Sequence, residues 1–153
     1  NSLSQLHLLE VSEGTYVTAH RHGAGAHVVL IEGGGYELLF KQGDELNPEK
    51  RQKVYIKPYG VVAPHTNEYH QHFNTDKGPF RQLAFRGWVR KPPSMNAKGE
   101  YDPVGAARSD SALGYSSKIR YDEEDPKIRE EYYQELEKNG ISLRLDPVDQ
   151  GGA

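Results

Sequence analysis

Along the first ninety positions of the chain, apolar and β-branched residues fall in short runs broken by turn formers. Gln5 to Glu10 and Thr15 to His22 are the first two, separated by Ser12-Glu13-Gly14, and Val28 to Glu32 is the third. Gly33-Gly34-Gly35 then predicts a tight turn into Tyr36 to Lys41, since glycine tolerates backbone angles that other residues resist. Further runs follow at Lys53 to Lys57, Gly60 to Ala63, His70 to Asn74 and Arg81 to Val89. Many short strands at such close spacing predict an antiparallel sandwich or barrel.

Beyond Arg90 this pattern stops. Positions 91–118 are rich in Pro, Gly, Ser and Asn and show no sustained period, which predicts a long loop, lying over the barrel or partly disordered. Asp125-Pro126 next supplies an N-cap and a first-turn proline. Ile128, Tyr132, Tyr133 and Leu136 share one helical face, and Gly140 closes the element. One C-terminal α-helix is therefore expected to pack an apolar stripe, with the acidic run Asp122 to Asp125 suiting its positive end. The chain divides into a barrel over 1–90 and a loop and helical extension over 91–153.

A length of 153 residues is enough for one domain with a sizeable core. Ten Tyr, four Phe and Trp88 supply bulk for it, although hydrophobic residues make up only 35% of the chain. A net charge of -3 with scattered Lys and Arg speaks against nucleic acid as a partner. No apolar run approaches the roughly 20 residues of a membrane span, and the opening residues do not read as a charged-then-apolar leader, the alternative being one that has been cut away. A soluble, cytoplasmic protein without membrane contact is the expectation, and an opening Asn1 in place of Met suggests a trimmed N-terminus. The absence of cysteine removes thiolate ligands and thiol nucleophiles, so any metal must be held by nitrogen and oxygen.

Six of the seven histidines occupy two tight groups: His20, His22 and His27, then His65, His70 and His72. On a strand alternate residues share a face, so His20 with His22, and His70 with His72, would each place two imidazoles roughly 6 to 7 Å apart at Cα. Asn74 shares the face of the second pair. Imidazole is the commonest transition-metal ligand among side chains, and buried imidazoles without an ion would leave many donors unpaired. A metal site is thus preferred over a polar interior in which the rings merely satisfy one another. His65, in a Pro-His-Thr-Asn loop, and His7, on the opening strand, are expected at the rim.

The spacing Gly14, five residues, His20, one, His22, four, His27, six, Gly34 resembles the first motif of the cupin superfamily, with His27 where Glu is usual. His70, three residues, Asn74 resembles the end of the second motif, although the glycine usually found between Pro64 and His70 is missing. Within that superfamily the chain looks most like the gentisate dioxygenase group, on His20-Arg21-His22, on His70-Gln71-His72-Phe73-Asn74 and on Leu83-Ala84-Phe85-Arg86. The resemblance covers about residues 5 to 90. It implies an all-β fold, the double-stranded β-helix or antiparallel jelly-roll barrel of cupins.

It further implies His20, His22 and His70 as ligands of Fe(II), with Mn, Ni, Zn and Cu as other ions such a site accepts. His27 is read as a fourth ligand in place of the Glu, the alternative being a group bonded to a ligand. For His72 the resemblance suggests an acid or base beside the metal, the alternative being a core histidine bonded to a backbone carbonyl. Tyr69 and Tyr36 are candidates to bond a phenolate or an oxygen species, ordinary core tyrosines being the preferred alternative. Arg86 is a candidate to pair a substrate carboxylate, ahead of Arg81 and Arg21. Arg21 is expected to point away from the face of its histidine neighbours.

The activity implied is a non-haem iron dioxygenase that cleaves a carbon–carbon bond of an oxygenated aromatic or diketone, with the small-molecule substrate and dioxygen as partners. The alternatives are a metal-dependent isomerase, lyase or decarboxylase, in which the ion polarises an enolisable acid, and a non-catalytic small-molecule-binding cupin. Gentisate-type proteins carry two cupin domains, so this chain is expected to be a homodimer or part of a two-cupin protein.

Overall fold

The computed structural model describes residues 4–21, 25–87 and 118–144, with backbone alone at 4, 5, 86 and 87. Seven strands are present: β1 (Ser4–Val11), β2 (His27–Glu32), β3 (Gly35–Phe40), β4 (Gln52–Ile56), β5 (Val61–Val62), β6 (Tyr69–Asn74) and β7 (Phe80–Gly87). They form two antiparallel sheets, one ordered β1-β7-β2-β5 and the other β4-β3-β6. Val11, Leu30, Leu39, Ile56, Val62 and Phe80 meet between the sheets as an apolar core. Each comes from an inward position of its strand, as a period of two requires.

β3 and β6 are buried at every position, unlike strands with one face in water. Their second face is covered by α1 (Pro126–Lys138), which buries Ile128, Tyr132 and Leu136. These pack with Tyr16, Tyr36, Leu38 and Phe73. Phe73 lies stacked between Tyr16 and Tyr36, at centroid distances of 4.8 and 4.4 Å, and Tyr132 meets it at 5.4 Å. Burial drives the hydroxyl pKa values of Tyr16, Tyr36 and Tyr132 upward, so the whole cluster is neutral. Asp125 caps α1 by accepting from the Lys127 amide, Pro126 fills its first turn, and Gly140 follows its end with a positive φ of 64°. Tyr133, expected on the packed face, is half-exposed instead, because a spacing of five from Ile128 swings it off the stripe of Ile128, Tyr132 and Leu136.

The expected second strand, Thr15 to His22, is not regular over its described part. It touches β6 only through isolated bridges, Tyr16 to Phe73 and His20 to His70. Its backbone bonds explain why. Val17 N–H reaches His72 O at 2.9 Å and His20 N–H reaches His70 O at 3.0 Å, so Thr18 and Ala19 stand opposite the single residue Gln71. Two residues against one is a bulge, which interrupts the ladder and re-aims the next side chain. Here the next side chain is His20. The expected loop over 91–118 lies almost wholly outside the described residues.

Candidate metal centre

β6 carries two site histidines on its inner face. His70 lies opposite Leu39 and His72 opposite Glu37 on β3, and both imidazoles are buried. His20 reaches them from the bulged segment, its backbone exchanging two bonds with His70, at 3.0 and 2.8 Å. The ring centroids stand 4.3 Å apart for His20 and His70, 5.2 Å for His20 and His72, and 5.5 Å for His70 and His72. Their potential ligand nitrogens all lie within 4.8 Å of one another, and they form the one group of three or more metal-ligating side chains that converges so among the described residues.

Each ring is turned the same way. Nδ1 of His20 lies 3.1 Å from the Thr18 carbonyl oxygen, and Nδ1 of His70 lies 3.3 Å from that of Glu68. Nδ1 of His72 stands 2.7 Å from Oε2 of Glu37, as a close charge contact outside good hydrogen-bond alignment. A carbonyl oxygen only accepts, so Nδ1 of His20 and of His70 donates and their lone pairs fall on Nε2, and the carboxylate beside Nδ1 of His72 favours the same arrangement there. That is how ligating histidines are oriented in metal proteins. Three imidazoles and no thiolate make a set suited to iron, manganese, nickel, copper or zinc.

Glu37 is a residue that pattern reading passed over. It is 1% exposed, and its other carboxylate oxygen accepts from Nε2 of Gln82, which crosses from β7 in the facing sheet. A lone carboxylate inside Gly35-Tyr36-Glu37-Leu38-Leu39-Phe40 was the visible signal, since burying a charge in an apolar strand is costly unless something pairs it. What the sequence could not show was the partner across the sheet.

The other expected site residues are distributed as follows. His27 starts β2 opposite Phe85 and is exposed, outside the converging group. His22 lies outside the described residues. Tyr69 is buried on the opposite face of β6 from His70 and His72, stacked on Phe40 at 5.4 Å. Arg86 pairs with Gln5 in the β1–β7 ladder, and its side chain is outside the description. Arg81 is held in ion pairs with Glu10 and Glu32.

Arg21, expected to point outward, is instead 2% exposed, donating to Gln42 Oε1 at 2.8 Å and lying over the Tyr69 ring at 4.8 Å. It does turn away from the imidazoles, but packing covers that side of the strand too. His65 is exposed and paired with Glu68 at 3.1 Å, whereas His7 is half-buried on β1. Asn74 is engaged in the turn toward β7, donating to the carbonyls of Val11 and Gly78 and accepting from the Asp76 amide.

No protein-family model matches the sequence, and no curated protein matches it. Solved structures do match. Vicilin from Solanum lycopersicum (tomato) aligns with a TM-score of 0.51 at 16% identity, covering 58% of this chain and 24% of its own. Vicilin from Solanum melongena aligns at 0.50 and 17% identity, covering 58% and 22%. A cupin domain from Bordetella pertussis gives 0.42 at 17% identity, covering 58% and 84%. The aligned region thus spans about a quarter of the vicilin chains.

The facing antiparallel sheets and the two vicilin likenesses define the fold class: an all-β, antiparallel jelly-roll barrel with, among the described residues, one C-terminal α-helix. At such identities the likeness extends to the fold alone. No helix among the described residues is long and apolar enough to cross a membrane.

Proposed function

We propose that the protein is a metal-dependent cupin enzyme centred on His20, His70 and His72. Its reaction is that of a non-haem Fe(II) dioxygenase, cleaving a carbon–carbon bond of an oxygenated aromatic or diketone. The observation that carries the metal part is the convergence of three ligand nitrogens within 4.8 Å, each ring with its Nδ1 turned toward an oxygen. The dioxygenase part rests on the sequence resemblance to the gentisate group. An iron bound there would supply a Lewis-acidic, redox-active centre for an anionic substrate and dioxygen.

The protein's own residues have simpler tasks in this scheme. His20 and His70 are fixed by backbone carbonyls and His72 by a carboxylate, so the ligand set is pre-organised. Arg86 is proposed to pair a substrate carboxylate. The second reading is proton-transfer chemistry by an isomerase, lyase or decarboxylase. One observation favours it: a carboxylate held against Nδ1 of His72 is also how a general acid or base is oriented.

One experiment separates the readings. Protein reconstituted with Fe(II) is placed in an oxygen electrode with a panel of hydroxylated aromatics and β-diketones, and products are followed by mass spectrometry. The dioxygenase reading expects oxygen uptake in step with substrate loss. Turnover without oxygen uptake would establish the second reading. Binding of metal and substrate without turnover would overturn both in favour of a binding module.

A further inference from the structure

Glu37 is a buried acid at the centre of the molecule, held between two side chains of the barrel interior. On one side it has Nδ1 of His72 at 2.7 Å, and on the other the neutral amide of Gln82. Oε2 of Glu37 and Nδ1 of His72 have no other hydrogen-bond partner, and Oε1 of Gln82 is likewise buried without one. A carboxylate removed from water needs positive charge or several donors nearby, and here one imidazole and one amide are all that face it.

The register explains how the carboxylate comes to be there. Glu37 and His72 are directly opposed in the β3–β6 ladder, where side chains on one face lie closest. Gln82 closes the far side from the other sheet, opposite Leu30 and Leu9. The trio therefore spans the barrel interior and ends on the ring whose Nε2 faces His20 and His70. A cation at that nitrogen would polarise the imidazole, strengthen its N–H as a donor, and place positive charge in line with the Glu37 carboxylate.

Building on the metal reading above, we infer that Glu37 is a positioning residue that acts through His72. It supplies the negative charge that a three-imidazole set lacks, and so raises the affinity of the centre for a divalent cation. The ligand set is consequently asymmetric. His20 and His70 are backed by neutral carbonyls, and His72 alone is backed by a carboxylate. A ligand backed by an anion is the stronger donor.

The test uses the whole chain with Zn(II) for affinity and Co(II) for its visible spectrum, comparing wild type, Glu37→Gln and His70→Ala. Glu37→Gln keeps shape and hydrogen-bonding capacity but removes the charge. Its Zn(II) affinity should fall about 10- to 100-fold, the usual cost of losing such an outer partner, and its Co(II) absorption band should shift. Its metal-free unfolding temperature should hold or rise, since a buried charge has gone, while the rise on adding Zn(II) should shrink. A merely structural role predicts the reverse: a lower metal-free unfolding temperature with affinity and spectrum unchanged, and that result overturns the inference. If His70→Ala loses metal while Glu37→Gln binds like wild type, only the inference fails. If wild type and His70→Ala bind Zn(II) equally, the metal reading itself fails.

Discussion

Gln71 sits between two site histidines in sequence yet faces the other side of β6, where its Nε2 donates to Glu124 at 3.3 Å. Glu124 also accepts from the Tyr16 hydroxyl and has Arg129 3.6 Å away. Burial nevertheless dominates and raises the Glu124 carboxyl pKa above its ordinary 4.5, with Tyr16 and Arg129 only partly opposing it. An acid that holds its proton more tightly folded than unfolded contributes stability that is complete below 4.5. That stability is lost as pH rises through the folded value. Glu124→Gln removes this loss, and its new amide can also donate to the Gln71 Oε1 that is now buried without a partner. The unfolding-temperature difference, variant minus wild type, should therefore be more positive at pH 7 than at pH 4. Equal differences at both values would defeat the argument. Residue chemistry was unevenly legible in the sequence. The histidine clusters announce themselves because imidazole is scarce and its spacing is local. Glu37, Gln82 and Glu124 take hydrogen-bond and charge partners 35 to 108 positions away, and no short window of sequence contains both halves of such a pair.

At the scale of elements, α1 shows the opposite situation. Cap, first-turn proline, apolar stripe and closing glycine all lie within one short stretch, so its boundaries could be read directly. The strands were legible for the same reason, each marked by its own run and turns. The exception is the segment from Thr15, whose bulge is set by the register of β6 more than fifty residues on. Asp125 joins the local and distant cases. It caps α1 through the Lys127 amide and also pairs with Arg51, whose side chain is 3% exposed. Asn caps about as well as Asp, so Asp125→Asn isolates the ion pair, whereas Asp125→Ala removes both functions. Breaking a buried pair from one side leaves the other charge uncompensated, at a cost of about 3 kcal/mol or more, and losing the cap adds about 1 kcal/mol. Urea unfolding should therefore rank wild type above Asp125→Asn and Asp125→Asn above Asp125→Ala, with the first step the larger. A first step below about 1 kcal/mol would show that Arg51 is solvated well enough to stand alone.

For the whole molecule, the two sheets are finished differently. The outer face of β4-β3-β6 is covered by α1 and its aromatic cluster, whereas the outer face of β1-β7-β2-β5 carries Leu6 and Leu8 at about 60% exposure with Phe85 and Val61 also exposed. These are neighbours across the sheet. Leu6 pairs with Phe85 and Leu8 with Leu83, which in turn faces Val29, and Val29 faces Val61. The rows form one apolar surface, with the Glu10–Arg81–Glu32 ion pairs along one end. A contiguous apolar surface of this kind marks an interaction site more often than a solvated wall. A second copy of the chain is the occupant proposed here, because a two-fold axis can set the same apolar rows against themselves with the charged end at the rim. Sedimentation velocity should accordingly find a dimer at micromolar concentration. Leu8→Glu, placing two carboxylates at the middle of that contact, should shift the protein to monomer without lowering its metal content, since Leu8 belongs to the outer face and the histidines to the interior. A wild-type monomer across the whole concentration range would show that this face is not an interface between copies. A dimer that survives Leu8→Glu would move the contact to another surface of the barrel.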